Sequence, residues 1–115
     1  MADNIYITMA DKYKDGKIYI ISNVETDDIY IGSTIQKLER RFSYHKYNSK
    51  KFTNYKLYSL MNDKGFDKFK IELVENFECK TKNELHQKEQ EIINIKKPSL
   101  NKYKALRTIE EKKEY

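Results

Sequence analysis

At 115 residues the chain has room for one domain and not for two sizeable ones, and 38% hydrophobic against 36% charged residues allow only a modest core under a heavily charged surface. The net charge of +5, an excess of lysine, points to a polyanionic partner, nucleic acid being the commonest; the competing reading is a solvated lysine-rich surface. No run is apolar enough to span a membrane, Met1-Ala2-Asp3-Asn4 lacks the charged and apolar regions of a signal peptide, and the single Cys79 has no intramolecular disulfide partner and forms no zinc cluster, so the expectation is an intracellular protein (cytoplasm or nucleus), not secreted.

In chain order, Ile5-Tyr6-Ile7-Thr8 fits a short edge strand, and Asp11 to Gly16 a solvated turn. Lys17 to Asn23 and Ile29 to Ser33 are short, apolar and rich in Ile and Tyr, which predicts strands near 17–23 and 28–32. The polar connector Val24 to Asp28 makes them one antiparallel hairpin. Successive side chains on a strand face opposite ways. Tyr19 therefore points away from Ile18 and Ile20, Tyr30 away from Ile29 and Ile31, and the two tyrosines are expected on one face, aimed at one cleft.

From Thr34 the period changes. Ile35, Leu38 and Phe42 recur at helical spacing, predicting a helix near 35–47 with Ser33 or Thr34 as N-cap. Arg41 and His45 lie four apart and share a helix face. Leu57, Leu60 and Met61 mark a second helix near 53–63, with Gly65 as its C-cap. Phe69, Ile71 and Leu73 alternate with Lys70, Glu72 and Val74, a third strand near 68–75. Thr81 and Glu84 form a capping box that opens a last helix near 82–96, and Pro98 ends it. The fold class is α+β: a small three-stranded antiparallel sheet flanked by helices, as one domain over residues 1–102 with a charged tail over 103–115.

Glu89 breaks the pattern of the last helix, because it sits on the stripe of Leu85, Ile92 and Ile93. A buried carboxylate is costly unless paired or metal-bound. Glu89 is thus either an edge residue with a lysine partner or a ligand facing a cleft.

The pairing of Ile18-Tyr19 with Tyr30-Ile31-Gly32 resembles the GIY-YIG nuclease family. The rest of the chain keeps the family's order: Arg41 and His45 on the next helix, Glu89-Gln90 on a later helix, and Asn101 past a short turn after Pro98. The resemblance spans residues 17–102, and it is the ordered set rather than any one member that carries it. Lys17 stands where the family has its first glycine, with Gly16 one earlier; that glycine serves backbone geometry rather than chemistry. Arg40 and Arg41 are adjacent, and the match goes to Arg41 on its four-residue spacing to His45. Nothing near Phe52-Thr53-Asn54 matches the polar residue that some members carry between the helices.

The resemblance implies a Mg²⁺-dependent DNA endonuclease, Mn²⁺ being the alternative cofactor, with one ion per site held by Glu89. Arg41 would brace the phosphate with its guanidinium fork. Tyr19 would be the general base or would orient the water; a free tyrosine has a pKa of about 10, so as a base it needs help from neighbouring charge. Tyr30 and His45 would hydrogen-bond the phosphate or the nucleophile. Asn101 and Gly32 take supporting roles, and Lys37, Arg40 and Lys46 are expected to contact DNA. Two readings compete: a non-catalytic nucleic-acid-binding module on the same fold, and a protein-interaction domain.

Overall fold

A hairpin of β1 (Lys17–Asn23) and β2 (Ile29–Thr34), with β3 (Phe69–Asn76) on the other side of β1, forms the sheet in the computed structural model, which describes residues 11–101. The strand order is β2-β1-β3 and both pairings are antiparallel. The expected edge strand at Ile5 to Thr8 and the tail over 103–115 lie outside the described residues. Three α-helices pack on the sheet: α1 (Leu38–Ser49), α2 (Lys56–Lys64) and α3 (Lys82–Lys96).

The register fixes what each face carries. Tyr19 stands opposite Gly32 and Ile21 opposite Tyr30, so these four side-chain positions share one face. Ile18, Ile20, Ile31 and Ser33 take the other. The first face is covered by α1 and α2, and its core gathers Tyr19, Ile21, Leu57, Tyr58, Met61, Phe69 and Leu100. The second is covered by α3, with Ile18 and Ile31 against Leu85 and Ile92. A bulge in β3 sets Ile18 opposite Glu75 and Tyr19 opposite Leu73, leaving Val74 as the extra residue.

The local signals at helix ends behave as their chemistry demands. Glu84 N–H donates to Thr81 Oγ1 at 3.1 Å and Thr81 N–H donates to Glu84 Oε1 at 3.2 Å, a complete capping box. Gly65 ends α2 at φ 94° and donates its N–H to the Met61 carbonyl at 2.9 Å; a side chain there would be strained. Lys97 closes α3 in the left-handed region at φ 49°, just before Pro98.

The start of α1 differs from the expectation. Ser33 and Thr34 remain in β2, where Thr34 pairs with Lys17, so their backbone is committed to the ladder and not to a cap. Thr34 Oγ1 accepts the Gln36 N–H at 3.0 Å in a short turn, and Lys37 takes the N-cap position without a side-chain capping bond. Ile35 consequently packs with the α3-side core, while Leu38 and Phe42 pack on the opposite one. Likewise α2 begins at Lys56 rather than near 53, because residues 51–55 form turns closing onto Asn48 and Phe52.

Asn101 ties the end of the described chain to the sheet. Its Oδ1 accepts the Ile31 N–H at 2.8 Å and its Nδ2 donates to the Ile31 carbonyl at 2.7 Å. One side chain thus replaces a strand partner on the outer edge of β2, and Leu100 is buried beside it in the core.

Candidate active site

The centre of the site is Tyr19, and Gly32 is what seats it. A Cβ at Gly32 would stand 2.5 Å from Tyr19 Cζ, so only glycine lets the ring lie across β2. Tyr19 is 0% exposed. Its hydroxyl lies 2.7 Å from His45 Nε2 and accepts Arg41 Nε–H at 3.2 Å. His45 is itself 2% exposed, and its Nδ1 lies 2.8 Å from the Tyr58 hydroxyl. The Tyr30 ring meets His45 edge-on at 5.4 Å between centroids and Tyr19 at 6.3 Å. The four-residue spacing on α1 thus delivers Arg41 and His45 together to the tyrosine face.

Burial dominates the electrostatics. It pushes the Tyr19 phenol up to about 12, against the opposing pull of Arg41. Tyr30 is raised further, by burial and then by Tyr19 and Glu89. Burial and then the Arg41 charge push His45 down to about 3, so its imidazole is neutral at physiological pH. Burial, the largest influence on Arg41, opposes its charge, and the oxygens of Tyr19, Tyr30 and Tyr58 together hold the guanidinium above its ordinary value. Arg41 is thus the charged group at the heart of an otherwise neutral network.

A cleft of about 1020 Å³ opens over this network. Tyr30, Arg41, His45, Glu89 and Asn101 line it, with Phe52, Tyr55 and Lys56 on the α2 side and Asn94, Lys97 and Pro98 at the end of α3. Tyr19 does not line it: the hydroxyl expected to face the cleft lies beneath, enclosed by Arg41 and His45. The enclosure results from the ring lying across Gly32.

Glu89 is half-buried at the edge of the Leu85 and Ile92 stripe. Ser33 Oγ donates to its Oε1. Among the described residues Glu89 has no lysine or arginine partner, and Oε2 has no hydrogen-bond donor. The stripe position is therefore balanced by a neutral hydroxyl and not by a lysine. A half-buried carboxylate with one oxygen free on a cleft fits a single hard cation whose remaining ligands are water and phosphate. No group of three or more His, Cys, Asp or Glu that could hold a metal ion is found among the described residues.

The three cations expected to meet nucleic acid do not enter the cleft. Lys37 and Arg40 are exposed on the outer side of α1, and Lys46 lies with its ammonium 5.4 Å from the Phe66 ring. The cleft takes its lysines from elsewhere, Lys56 at the start of α2 and Lys97 at the end of α3, which sequence reasoning missed. It also missed Ser33 and Tyr58. Tyr58 precedes Met61 by one helical turn, a spacing that signals its shared face; Ser33 has no comparable local signal.

The family model of the GIY-YIG catalytic domain matches residues 15–104 of the chain. Two proteins of Invertebrate iridescent virus 6 are similar: putative MSV199 domain-containing protein 146R, 36% identical over 80 residues, and uncharacterized protein 019R, 35% identical over 80 residues. The alignments cover 70% of this chain and 33% and 29% of those proteins, so the chain spans about a third of their length. Among solved structures, the catalytic domain of the homing endonuclease I-TevI superposes with a TM-score of 0.62 at 23% identity, covering 76% of this chain and 95% of that one. A mutant of the same domain gives 0.63 at 23% identity, covering 76% and 90%. At this identity the likeness is one of fold. No helix of the described residues is long and apolar enough to cross a membrane.

Proposed function

The chain belongs to the GIY-YIG catalytic domain family, and from that premise we propose that it is a Mg²⁺-dependent DNA endonuclease hydrolysing phosphodiester bonds. The observation that carries the reading is the convergence of Tyr30, Arg41 and His45 with Glu89, whose carboxylate has no cationic partner among the described residues, on one cleft above Tyr19. Glu89 would hold the ion; when bound, it would supply charge relief on the phosphate and acidify its water. Lys56 and Lys97 on the cleft walls suit the incoming phosphate backbone. Outside the cleft, Lys37, Arg40, Lys46 and Lys50 suit the flanking duplex.

Arg41 has two tasks. In the free protein its Nε–H occupies the Tyr19 oxygen. On substrate binding its fork moves onto the scissile phosphate, where a planar guanidinium binds two oxygens. That departure uncovers the Tyr19 oxygen, which takes the proton of the attacking water as Tyr19 passes its own toward His45. The pairing of Arg41 with phosphate also lifts the charge that depresses His45, making the imidazole a better acceptor. Tyr30, on the cleft wall, orients the phosphate.

The enclosure of the Tyr19 hydroxyl favours a second reading, a nucleic-acid-binding module that keeps the fold without the chemistry. One experiment separates them: nicking of supercoiled plasmid with Mg²⁺, with EDTA, and with Mg²⁺ replaced by Mn²⁺, beside duplex binding across a salt series. Metal-dependent nicking is expected. Steeply salt-dependent binding without nicking would favour the binding module; neither would leave a protein-interaction domain.

A further inference from the structure

We propose that Tyr58 is a positioning residue that holds His45 in the Nδ1–H tautomer, so that the Tyr19 phenolic proton points into the protein and its lone pair faces the position occupied by Arg41. The proposal deepens the nuclease reading and rests on it for its kinetic consequence. The geometry comes from a chain of contacts that runs through the buried Tyr19 hydroxyl: Arg41 to Tyr19 at 3.2 Å, Tyr19 to His45 at 2.7 Å, and His45 to Tyr58 at 2.8 Å.

The direction of the chain is set at one end. A guanidinium can only donate, so Arg41 Nε–H takes a lone pair of the Tyr19 oxygen. Tyr19 is fully buried, and His45 Nε2 is its other hydrogen-bond partner among the described residues. A buried hydroxyl proton needs an acceptor, so the Tyr19 O–H donates to Nε2. A neutral imidazole carries one N–H, which is left on Nδ1 and donates to the Tyr58 oxygen. Tyr58 also lines the cleft, where water can accept its own proton. The opposite direction would set two donors against the Tyr19 oxygen and strand its proton in the core.

The arrangement has a catalytic consequence. The lone pair that Arg41 occupies is the one a water would use once Arg41 moves to phosphate, and the Tyr19 proton already lies on the path to His45. Without the Tyr58 hydroxyl, Nδ1–H loses its acceptor, and His45 turns over to the other tautomer, which competes for the same Tyr19 lone pair.

The test is the ¹⁵N spectrum of the two His45 ring nitrogens at neutral pH in the full chain, where exposed His86 is the only other histidine. Nδ1 protonated and Nε2 bare is the expected result; Nε2 protonated in the wild type overturns the proposal and needs no variant. In Tyr58→Phe the Nε2–H form should appear, kcat for plasmid nicking should fall about tenfold, and KM for DNA should stay unchanged. A Tyr58→Phe protein with wild-type kcat overturns the positioning role. A wild type with the expected tautomer and no metal-dependent nicking sinks the nuclease reading and the kinetic role together, which tells the two failures apart.

Discussion

The two faces of the sheet are built from the same three strands and differ in what they bury. Under α3 the contacts are aliphatic, Ile18 and Ile31 against Leu85 and Ile92. Under α1 and α2 the core holds Tyr19, Tyr58 and a fully enclosed histidine, bonded to one another and to a half-buried arginine. An aliphatic contact gains stability from any well-fitting shape. A buried polar chain is sound only when every member is satisfied. The second face therefore carries a fold, and the first carries an arrangement that folding alone does not require. Glu89 stands where the two meet, mounted on the aliphatic face and opening on the cleft of the other.

The sharpest break of that division is Glu89→Gln. Metal-dependent nicking should fall by at least about a thousandfold, roughly 4 kcal/mol, because a neutral amide is a poor ligand for a hard dication. Stability should not fall, since the amide oxygen still accepts the Ser33 hydroxyl and no cation is left unpaired. A lowered melting temperature with activity intact would move Glu89 to the structural side. Ile18→Ala on the aliphatic face should do the reverse. It should destabilise the fold by about 3 kcal/mol, measured by urea unfolding, while the activity of the folded fraction is unchanged in the cold.

A pH series probes the polar face without a mutation at Glu89. His45 is held to about 3 in the fold, against about 6.5 when unfolded. The unfolded chain thus binds one more proton between those values, and stability must fall as pH drops through that window. The slope attributable to His45 approaches about 1.4 kcal/mol per pH unit, read as the difference between wild type and His45→Gln. Equal slopes for the two proteins would contradict a neutral buried imidazole. The smallest change expected is in Arg41→Lys, which keeps the charge and loses the fork and the Nε–H on Tyr19. Nicking should fall about tenfold, or about 1.4 kcal/mol, with Arg40→Lys, exposed on α1 and outside the cleft, near wild type. If Arg40→Lys is the damaging change, the phosphate contact belongs to the neighbouring residue.

Much of the fold was written locally in the sequence. Period 2 around Tyr19, Tyr30 and Ile71 placed three strands, and Leu57 with Met61, the Thr81–Glu84 box and Gly65 placed helices and their ends, because each signal lies within a turn or a strand of its own residue. Alternation set each tyrosine opposite its flanking isoleucines, and the hairpin register put both on one face. What stands across from a face has no such local signature. Ser33 and Glu89 are 56 residues apart, Ile31 and Asn101 are 70 apart, and Tyr19 and His45 are 26 apart. The tertiary structure alone decided that Glu89 meets a serine and not a lysine, that Asn101 serves as a strand partner, that Lys56 and Lys97 line the cleft while Lys37, Arg40 and Lys46 stay outside, and that the Tyr19 hydroxyl is enclosed. Periodicity reports the direction in which a side chain leaves the backbone; the packing of distant elements determines what it meets there.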